Sequence, residues 1–138
     1  MAGFWLFNTN ETYRPETRDY MFERCCICAQ YSAKDHVDLV SKSETVFIYE
    51  NGTGIIAYGV ANGEVVLSDY EGYANERHEM LLQPFHELET PITTFEISDL
   101  SKKLDGVGIY YARTASPLRP HTGKKLLQMA KQRTRKGT

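Results

Sequence analysis

Two short glycine-containing turns divide the middle of the sequence into three apolar runs. Residues 51–54 (NGTG) separate the run 45–49 from the run 54–61, and Asn62-Gly63 separates that run from residues 64–70. An Asn-Gly pair between apolar runs is a strong β-hairpin signal, because both turn positions require a positive φ. The sequence therefore predicts an antiparallel meander of three strands in this region.

The N-terminal third predicts a buried strand followed by a helix. Residues 3–8 (GFWLFN) are apolar at both odd and even positions, which is typical of a central strand buried on both faces. Between residues 16 and 30, Phe22, Cys25, Cys26 and Ala29 recur at helical spacing. We therefore expect one helix over residues 16–30.

The C-terminal half predicts shorter elements. Residues 71–79 are polar and favour a loop, whereas 80–88 and 92–95 favour two further strands. Ser98 or Asp99 is expected to cap a short helix that ends near Leu104, and a last helix is expected after residues 121–123.

These elements predict an α+β fold in a single domain. The chain has 138 residues, which is enough for one hydrophobic core and too few for two. Five or six mostly antiparallel strands with two or three flanking helices favour a small, closed or nearly closed β-barrel. Apolar runs are too short to span a membrane and the N-terminus has no secretory pattern, so we expect a cytoplasmic location.

Charge is distributed unevenly along the chain. Residues 1–100 carry 6 Lys/Arg and 17 Asp/Glu, a net charge of −11, whereas residues 101–138 carry 10 Lys/Arg and one acidic residue, Asp105. A basic C-terminal end favours an anionic partner or self-association of the chain, and from about residue 131 we expect a solvated, mobile basic tail.

Neither the cysteines nor the histidines predict a metal centre or a cofactor. Cys25, Cys26 and Cys28 contain one C-x-x-C without a second to complete a zinc site, and they are expected to be buried small hydrophobes. The four histidines lack metalloprotease spacing, and no nucleophile-elbow, P-loop or dinucleotide-binding motif occurs.

Aromatic side chains carry more information, because there are 16 of them in 138 residues. Flat rings with polar tips are suited to holding a planar base, although most of them are expected to fill the core. Tyr31 lies between Gln30 and Ser32 in a polar link, which is a favourable place for a pocket-lining residue.

Several segments together resemble the EVE domain, a member of the PUA-like superfamily that also includes the YTH and ASCH domains. Residues 4–8 (FWLFN) resemble its aromatic first strand, and residues 30–35 (QYSAKD) resemble its N-Y-x-A-R-N motif. Residues 43–49 (SETVFIY) are similar to G-D-x-V-F-F-Y, and 54–60 (GIIAYGV) to the strand that follows. Pro91-Ile92 resembles a later element. Lys34 stands where the family has Arg, and Gln30 where it has Asn.

The resemblance implies a small PUA-like barrel that binds DNA or RNA carrying a modified base, without enzymatic activity or a cofactor. Trp5, Tyr31 and Tyr49 would form an aromatic cage around the base, with Phe7 nearby, and Asn8 and Ser32 would read its polar edge. Phosphates would be held by basic residues, namely Lys34, Arg113, Arg119, Lys124 and Lys125.

Two alternatives belong to other functional classes. The first is a nucleobase amidohydrolase of the ASCH type, for which Lys34 with Glu50 or Glu64 would be the candidate residues. The second is a protein-interaction or oligomerisation module that uses the opposite charges of the two ends of the chain.

Overall fold

Seven strands pair into one curled, barrel-like sheet in the computed structural model, which describes residues 3–10 and 16–136. The fold is α+β, as predicted. The strands are β1 (Phe4–Asn8), β2 (Cys26–Gln30), β3 (Thr45–Glu50), β4 (Gly54–Ala61), β5 (Val66–Tyr70), β6 (Tyr73–Thr93) and β7 (Ala115–Leu118). The helices are α1 (Glu16–Arg24), α2 (Thr94–Asp105), α3 (Pro120–Gln132) and a 3₁₀ helix (Tyr31–Leu39).

The sheet order is β2-β6-β4-β3-β1-β7, and β5 pairs with β6 outside this path. β1 lies between β3, to which it is parallel, and β7, to which it is antiparallel, which confirms the predicted central strand. Alternate residues of these strands enter two hydrophobic clusters on opposite faces. Phe7 and Ile48 belong to one cluster, and Leu6 and Phe47 to the other.

The predicted helix over residues 16–30 is wrong in its second half. α1 ends at Arg24, Cys25 takes a positive φ of 55°, and Cys26–Gln30 forms strand β2 against β6. All five residues of β2 are buried. A strand buried on both faces is apolar at nearly every position, as Cys26–Ala29 are, so these residues matched the helical spacing by coincidence.

The predicted meander is confirmed for its first two strands only. β3 and β4 pair as an antiparallel hairpin across the turn at residues 51–53. β5 begins at Val66 and pairs with β6 instead of β4. At the end of β4, which already pairs with β6, the Asn62 N–H donates to the Leu81 carbonyl at 3.0 Å, so the chain is beside β6 before it reaches Gly63.

Residues 71–79 are not the predicted loop. From Tyr73 they form the first part of β6, which ends at Thr93. The expected strand 80–88 and the first half of the expected strand 92–95 are later parts of β6, whereas Thr94 and Phe95 begin α2. This first part reads as polar because much of the β5–β6 hairpin is solvated: Val66 and Leu67 on β5 are also exposed. Strand β7 had not been predicted.

Thr93, and not Ser98 or Asp99, caps α2. Its hydroxyl accepts from the Glu96 N–H at 3.2 Å, and the Glu96 carboxylate accepts from the Thr93 N–H at 3.0 Å, which forms a capping box. The helix ends at Asp105, near the expected Leu104. The last helix is confirmed, but it begins at Pro120, a favourable first residue, so residues 121–123 lie inside it and do not precede it as predicted.

The basic end, for which mobility was expected from about residue 131, contacts the sheet as far as it is described. α3 continues to Gln132, and Arg133 reaches the Glu96 carboxylate at 2.6 Å. The Arg135 N–H donates to the Glu87 carbonyl at 2.9 Å. Residues 137–138 lie outside the described part of the chain. No described helix is long and apolar enough to cross a bilayer.

Candidate nucleic-acid interface

A small cavity opens where β2 ends and the 3₁₀ helix begins. Its volume is about 280 Å³. Tyr31 has a φ of 52°, in the left-handed region that non-glycine residues seldom occupy. This local turn lets consecutive residues line one concave surface. The lining residues come from three segments and are Asn10, Gln30, Tyr31, Ser32, Ala33, Ala112 and Thr114.

The β5–β6 hairpin fixes the ring of Tyr31. The Tyr31 hydroxyl donates to the Glu71 carboxylate in the turn of the hairpin. The ring meets Tyr70 and Tyr73 edge-on, with centroids 5.5 and 6.3 Å apart. Since three contacts hold this side chain, a planar ligand would meet a surface that is already ordered.

Gln30 supplies a polar group to the lining of the cavity. The residue is only 6% exposed. Its amide nitrogen donates to the Cys28 sulfur at 3.8 Å, a weak contact, and the described residues offer no other partner to its side chain. Buried amides are normally satisfied by hydrogen bonds. The Gln30 amide is therefore available to a ligand in the cavity.

A buried polar network supports the hairpin. The Arg77 guanidinium lies 3.8 Å from the ring centroid of Tyr20 and 4.7 Å from that of Tyr70. Glu79, only 2% exposed, accepts from the Tyr20 hydroxyl at 2.5 Å and from Arg24 Nε at 2.8 Å. Burial and the neighbouring Glu79 carboxylate raise the pKa of Tyr20. This network had no signal in the sequence, because its members are scattered over three elements, α1, β5 and β6.

The six predicted base-binding residues are not brought together. Tyr31 and Ser32 line the cavity, whereas Phe7 and Tyr49 are 0% and 3% exposed and lie in the two separate clusters. Tyr49 stacks on Tyr111 at 4.9 Å, and its hydroxyl lies 2.8 Å from Thr94 Oγ1. Trp5 donates from Nε1 to Glu44 at 2.9 Å, nearer the other end of β1. Because β1 and β3 are buried on both faces, their sequences do not indicate which of their aromatic residues face a pocket and which fill the core.

Asn8 supports the walls of the cavity instead of lining it. Its amide nitrogen donates to the Asn51 side-chain oxygen at 3.1 Å and to the Tyr111 carbonyl at 2.8 Å, and its oxygen accepts from the Asn10 N–H at 2.8 Å. One buried amide thus fixes the chain beside Asn10 and beside Ala112. We interpret Asn8 as a positioning residue.

Lys34 lies behind Tyr31 but is already paired. Its Nζ is 3.1 Å from Glu76 and 3.3 Å from the Tyr31 carbonyl. The carboxylate beside Lys34 is thus neither of the two considered for an amidohydrolase, and Glu50 pairs with Arg18 at 2.8 Å. Together with Glu71, the Lys34–Glu76 pair leaves this side of the cavity with little net positive charge.

The other predicted phosphate-binding residues line two further cavities. Arg113 and Arg119 border one of about 330 Å³, together with Tyr110. Lys124 and Lys125 border another of about 480 Å³ on the exposed face of α3. Arg113 lies between Ala112 and Thr114, which line the Tyr31 cavity, so these two cavities share the segment 110–114 as a wall.

The thiols and histidines add no ligand-binding chemistry to the cavity. Cys26 and Cys28 are fully buried in β2, as expected for small hydrophobes. Hydrogen bonding with Cys28 and burial raise the pKa of the Cys26 thiol, so it stays protonated near neutral pH. Elsewhere, Asp35, Asp38 and His78 place potential metal-ligand atoms within 4.8 Å of one another, a carboxylate–histidine cluster that the sequence did not indicate.

Comparison with solved structures shows what the fold is similar to. The Mmi1 YTH domain in complex with RNA superposes with a TM-score of 0.59 at 10% identity, over 98% of this chain and 84% of that one. A hypothetical protein from Leishmania major gives 0.60 at 11% identity, over 96% of each chain. A Rhodopseudomonas palustris protein gives 0.56 at 14% identity, over 99% of each chain. No protein-family model and no curated protein sequence matches the chain. The fold is therefore YTH-like.

Proposed function

We propose that this protein binds single-stranded DNA or RNA without chemical conversion and holds one base, of modified type, in the Tyr31 cavity. The observation that carries the proposal is the composition of that cavity. It combines an ordered aromatic ring at Tyr31, the nearly buried and incompletely bonded amide of Gln30, and the hydroxyls of Ser32 and Thr114.

The chemistry of these groups suits a base better than a sugar or a peptide. A base presents a flat π-face for stacking and an edge of hydrogen-bond donors and acceptors. A pocket for an extruded base therefore supplies an aromatic or apolar side chain for the face and polar groups for the edge. An amide such as that of Gln30 both donates and accepts, so it matches an edge with mixed polarity. The volume of about 280 Å³ suits one base.

Two independent considerations support the same function. Among its structural neighbours, the Mmi1 YTH domain is seen in complex with RNA. In addition, residues 30–35 resemble the EVE-domain motif, and they contribute Gln30 to Ala33 to the cavity lining. We therefore propose membership of the EVE branch of the PUA-like superfamily, with the modified base as the specific ligand.

The test is binding of fluorescent 9-nucleotide single strands with a central unmodified base, 5-methylcytosine or N6-methyladenine, each as DNA and as RNA. Tyr31→Ala is expected to lower the affinity for the preferred strand by about 5- to 150-fold. This range corresponds to the loss of one stacked base, about 1–3 kcal/mol. Phe95→Ala is the matched control, because Phe95 is 78% exposed on α2 and lines none of the three cavities.

Three results would count against the proposal. The base pocket is refuted if folded Tyr31→Ala binds every strand like the wild type. Conversion of the modified base during incubation would favour the amidohydrolase. Salt-sensitive self-association with no effect of any oligonucleotide would favour the oligomerisation module.

A further inference from the structure

The arginines of the described chain fall into three groups. Most have a carboxylate partner, as shown by Arg18 with Glu50, Arg24 with Glu79, Arg133 with Glu96 and Arg135 with Glu87. Arg77 is instead enclosed by two tyrosine rings.

Arg113 and Arg119 differ from all of these. Both are exposed, and neither has a carboxylate partner within the described ranges 3–10 and 16–136. These two arginines line the same cavity of about 330 Å³. Two unpaired guanidinium groups in one concavity favour an anionic ligand, and their planar donor arrays match phosphate oxygens.

The same cavity presents an exposed aromatic ring. Tyr110 is 66% exposed, and the Arg113 guanidinium lies 5.9 Å from its ring centroid. The apolar side chains of Ile109 and Leu118 also line the cavity. A ring, an apolar floor and two free cations together suit a ligand with both a planar group and a phosphate, which describes a nucleotide.

Hydrogen bonds hold the segment 110–114 in place on both sides. Ser116 Oγ donates to the Tyr110 carbonyl at 3.3 Å, and Asn8 Nδ2 donates to the Tyr111 carbonyl at 2.8 Å. The Asn8 N–H donates to the Thr114 carbonyl at 2.8 Å. The exposed ring and guanidinium are thus carried by an anchored backbone, which lowers the entropic cost of binding.

The position of this cavity relates it to the Tyr31 cavity. Ala112 and Thr114 line one cavity, and Tyr110 and Arg113 line the other. Two residues of chain span at most about 7 Å, so the shared wall is narrow enough for adjacent nucleotides to lie on its two sides. Next to Tyr31 itself, the Glu71 carboxylate and the pairing of Lys34 with Glu76 disfavour a phosphate backbone.

We propose that the Tyr110–Arg113–Arg119 cavity binds the nucleotide adjacent to the one whose base occupies the Tyr31 cavity. Its base stacks on Tyr110 and its phosphate contacts the two arginines, so the strand crosses the wall formed by residues 112–114. This inference rests on the proposed function, since it assigns the second position of the same bound strand.

The first experiment measures the affinity of the 9-nucleotide strand carrying a central N6-methyladenine, and of its 5-methylcytosine counterpart, for Arg113→Ala/Arg119→Ala. We expect at least tenfold weaker binding and a salt slope smaller by about 1–1.5, since each phosphate contact contributes about 0.7 for single strands. Lys42→Ala/Lys136→Ala removes the same charge from two exposed lysines that line none of the three cavities.

A second experiment tests the stacked base. Tyr110→Leu is expected to weaken the intact strands by about fivefold or more. The same strands are then made abasic on the 5′ side or on the 3′ side of the central base. On one of these two probes we expect Tyr110→Leu and the wild type to bind with equal affinity, because that probe lacks the base that stacks on Tyr110 in the wild type.

The outcomes separate this inference from the function on which it rests. If Tyr31→Ala weakens binding and the arginine variant matches the lysine control, the second position is refuted and the base pocket stands. An equal loss for Tyr110→Leu on both abasic probes refutes the stacking. If Tyr31→Ala leaves the affinity unchanged, the proposed function itself is refuted, whatever the arginine variant does.

Discussion

The hairpin side and the 110–119 side of the molecule use the same residue types in opposite ways. At the hairpin, the buried Glu79 pairs with Arg24, and the rings of Tyr20 and Tyr70 enclose Arg77. At the other side, Arg113 and Arg119 have no carboxylate partner among residues 3–10 and 16–136, and Tyr110 is exposed. A cation that is paired within the fold contributes to stability, whereas an unpaired cation in a concavity is available to a ligand. Substitutions on the two sides should therefore change different measured quantities.

The largest effect on stability is expected from Glu79→Ala. This change removes the shared acceptor of Tyr20 and Arg24 and leaves both groups without that buried partner. Breaking a buried ion pair costs about 3–5 kcal/mol, and since the Arg24 side chain is 49% exposed we expect about 2–3 kcal/mol. Urea unfolding measures the loss, with the exposed Glu23→Ala as the control. A loss below about 1 kcal/mol would mean that the network is not structural.

The ion pair between α2 and the C-terminal end predicts a dependence of stability on pH. Hydrogen bonds from Arg133 lower the pKa of Glu96 to about 2 from an ordinary value of 4.5. A lowered carboxyl pKa stabilises the fold above the unfolded-state pKa, and this contribution is lost as the pH falls from about 4.5 to about 2. Since the Glu96 side chain is 33% exposed, solvent screening reduces the contribution to about 1–2 kcal/mol.

Arg133→Ala should remove this part of the pH dependence. The difference between wild-type and variant unfolding free energies, measured in urea, is expected to shrink as the pH is lowered through that range. If the unfolding free energies of the two proteins changed with pH in parallel, the low pKa of Glu96 would not depend on Arg133.

The cysteines beside Gln30 should behave as packing residues. Cys28 is fully buried and Cys25 partly so, and Cys25→Ser/Cys28→Ser places a hydroxyl where the fold has little room for water. We expect a loss of about 1–2 kcal/mol in unfolding free energy and unchanged oligonucleotide affinity. Stoichiometric zinc in the purified protein would contradict this interpretation.

The smallest effect on stability is expected on the other side of the comparison. Arg113→Ala/Arg119→Ala removes side chains without carboxylate partners in the described structure, so the unfolding free energy should change by less than about 0.5 kcal/mol. Thermal or urea unfolding of the variant that weakens oligonucleotide binding provides the check. A loss above about 1.5 kcal/mol would assign the two arginines a structural role.

Sequence patterns predicted those parts of the fold in which local chemistry determines the structure. The β3–β4 hairpin follows from its glycine turn, and the central position of β1 follows from its double-sided hydrophobicity. β2 could not be recognised, because five consecutive buried residues fit the period of a helix and that of a strand equally well. The start of β6 could not either, since a solvated hairpin has the composition of a loop.

The sequence predicted only those residues of the candidate site that are neighbours along the chain. Tyr31 and Ser32 lie in a short polar link that the sequence marks. Thr114 joins them through the long-range pairing of β1 with β7, and the sequence contains no signal for that pairing. The hydrogen bonds that Asn8 makes, and the lack of a carboxylate partner for Arg113 in the described structure, are likewise properties of the tertiary structure. Residue type alone therefore could not show that Asn8 supports the cavity wall whereas Arg113 is available to a ligand.

The central claim is that one base of a single strand enters the Tyr31 cavity. The most direct test is the affinity of the wild-type protein for 9-nucleotide strands with an unmodified, cytosine-methylated or adenine-methylated central base, at about 50 and about 200 mM salt. We predict a preference for one modification that persists at the higher salt, since stacking and base-edge hydrogen bonds are less screened than phosphate contacts. Equal, weak binding to all strands that disappears at the higher salt would contradict the claim.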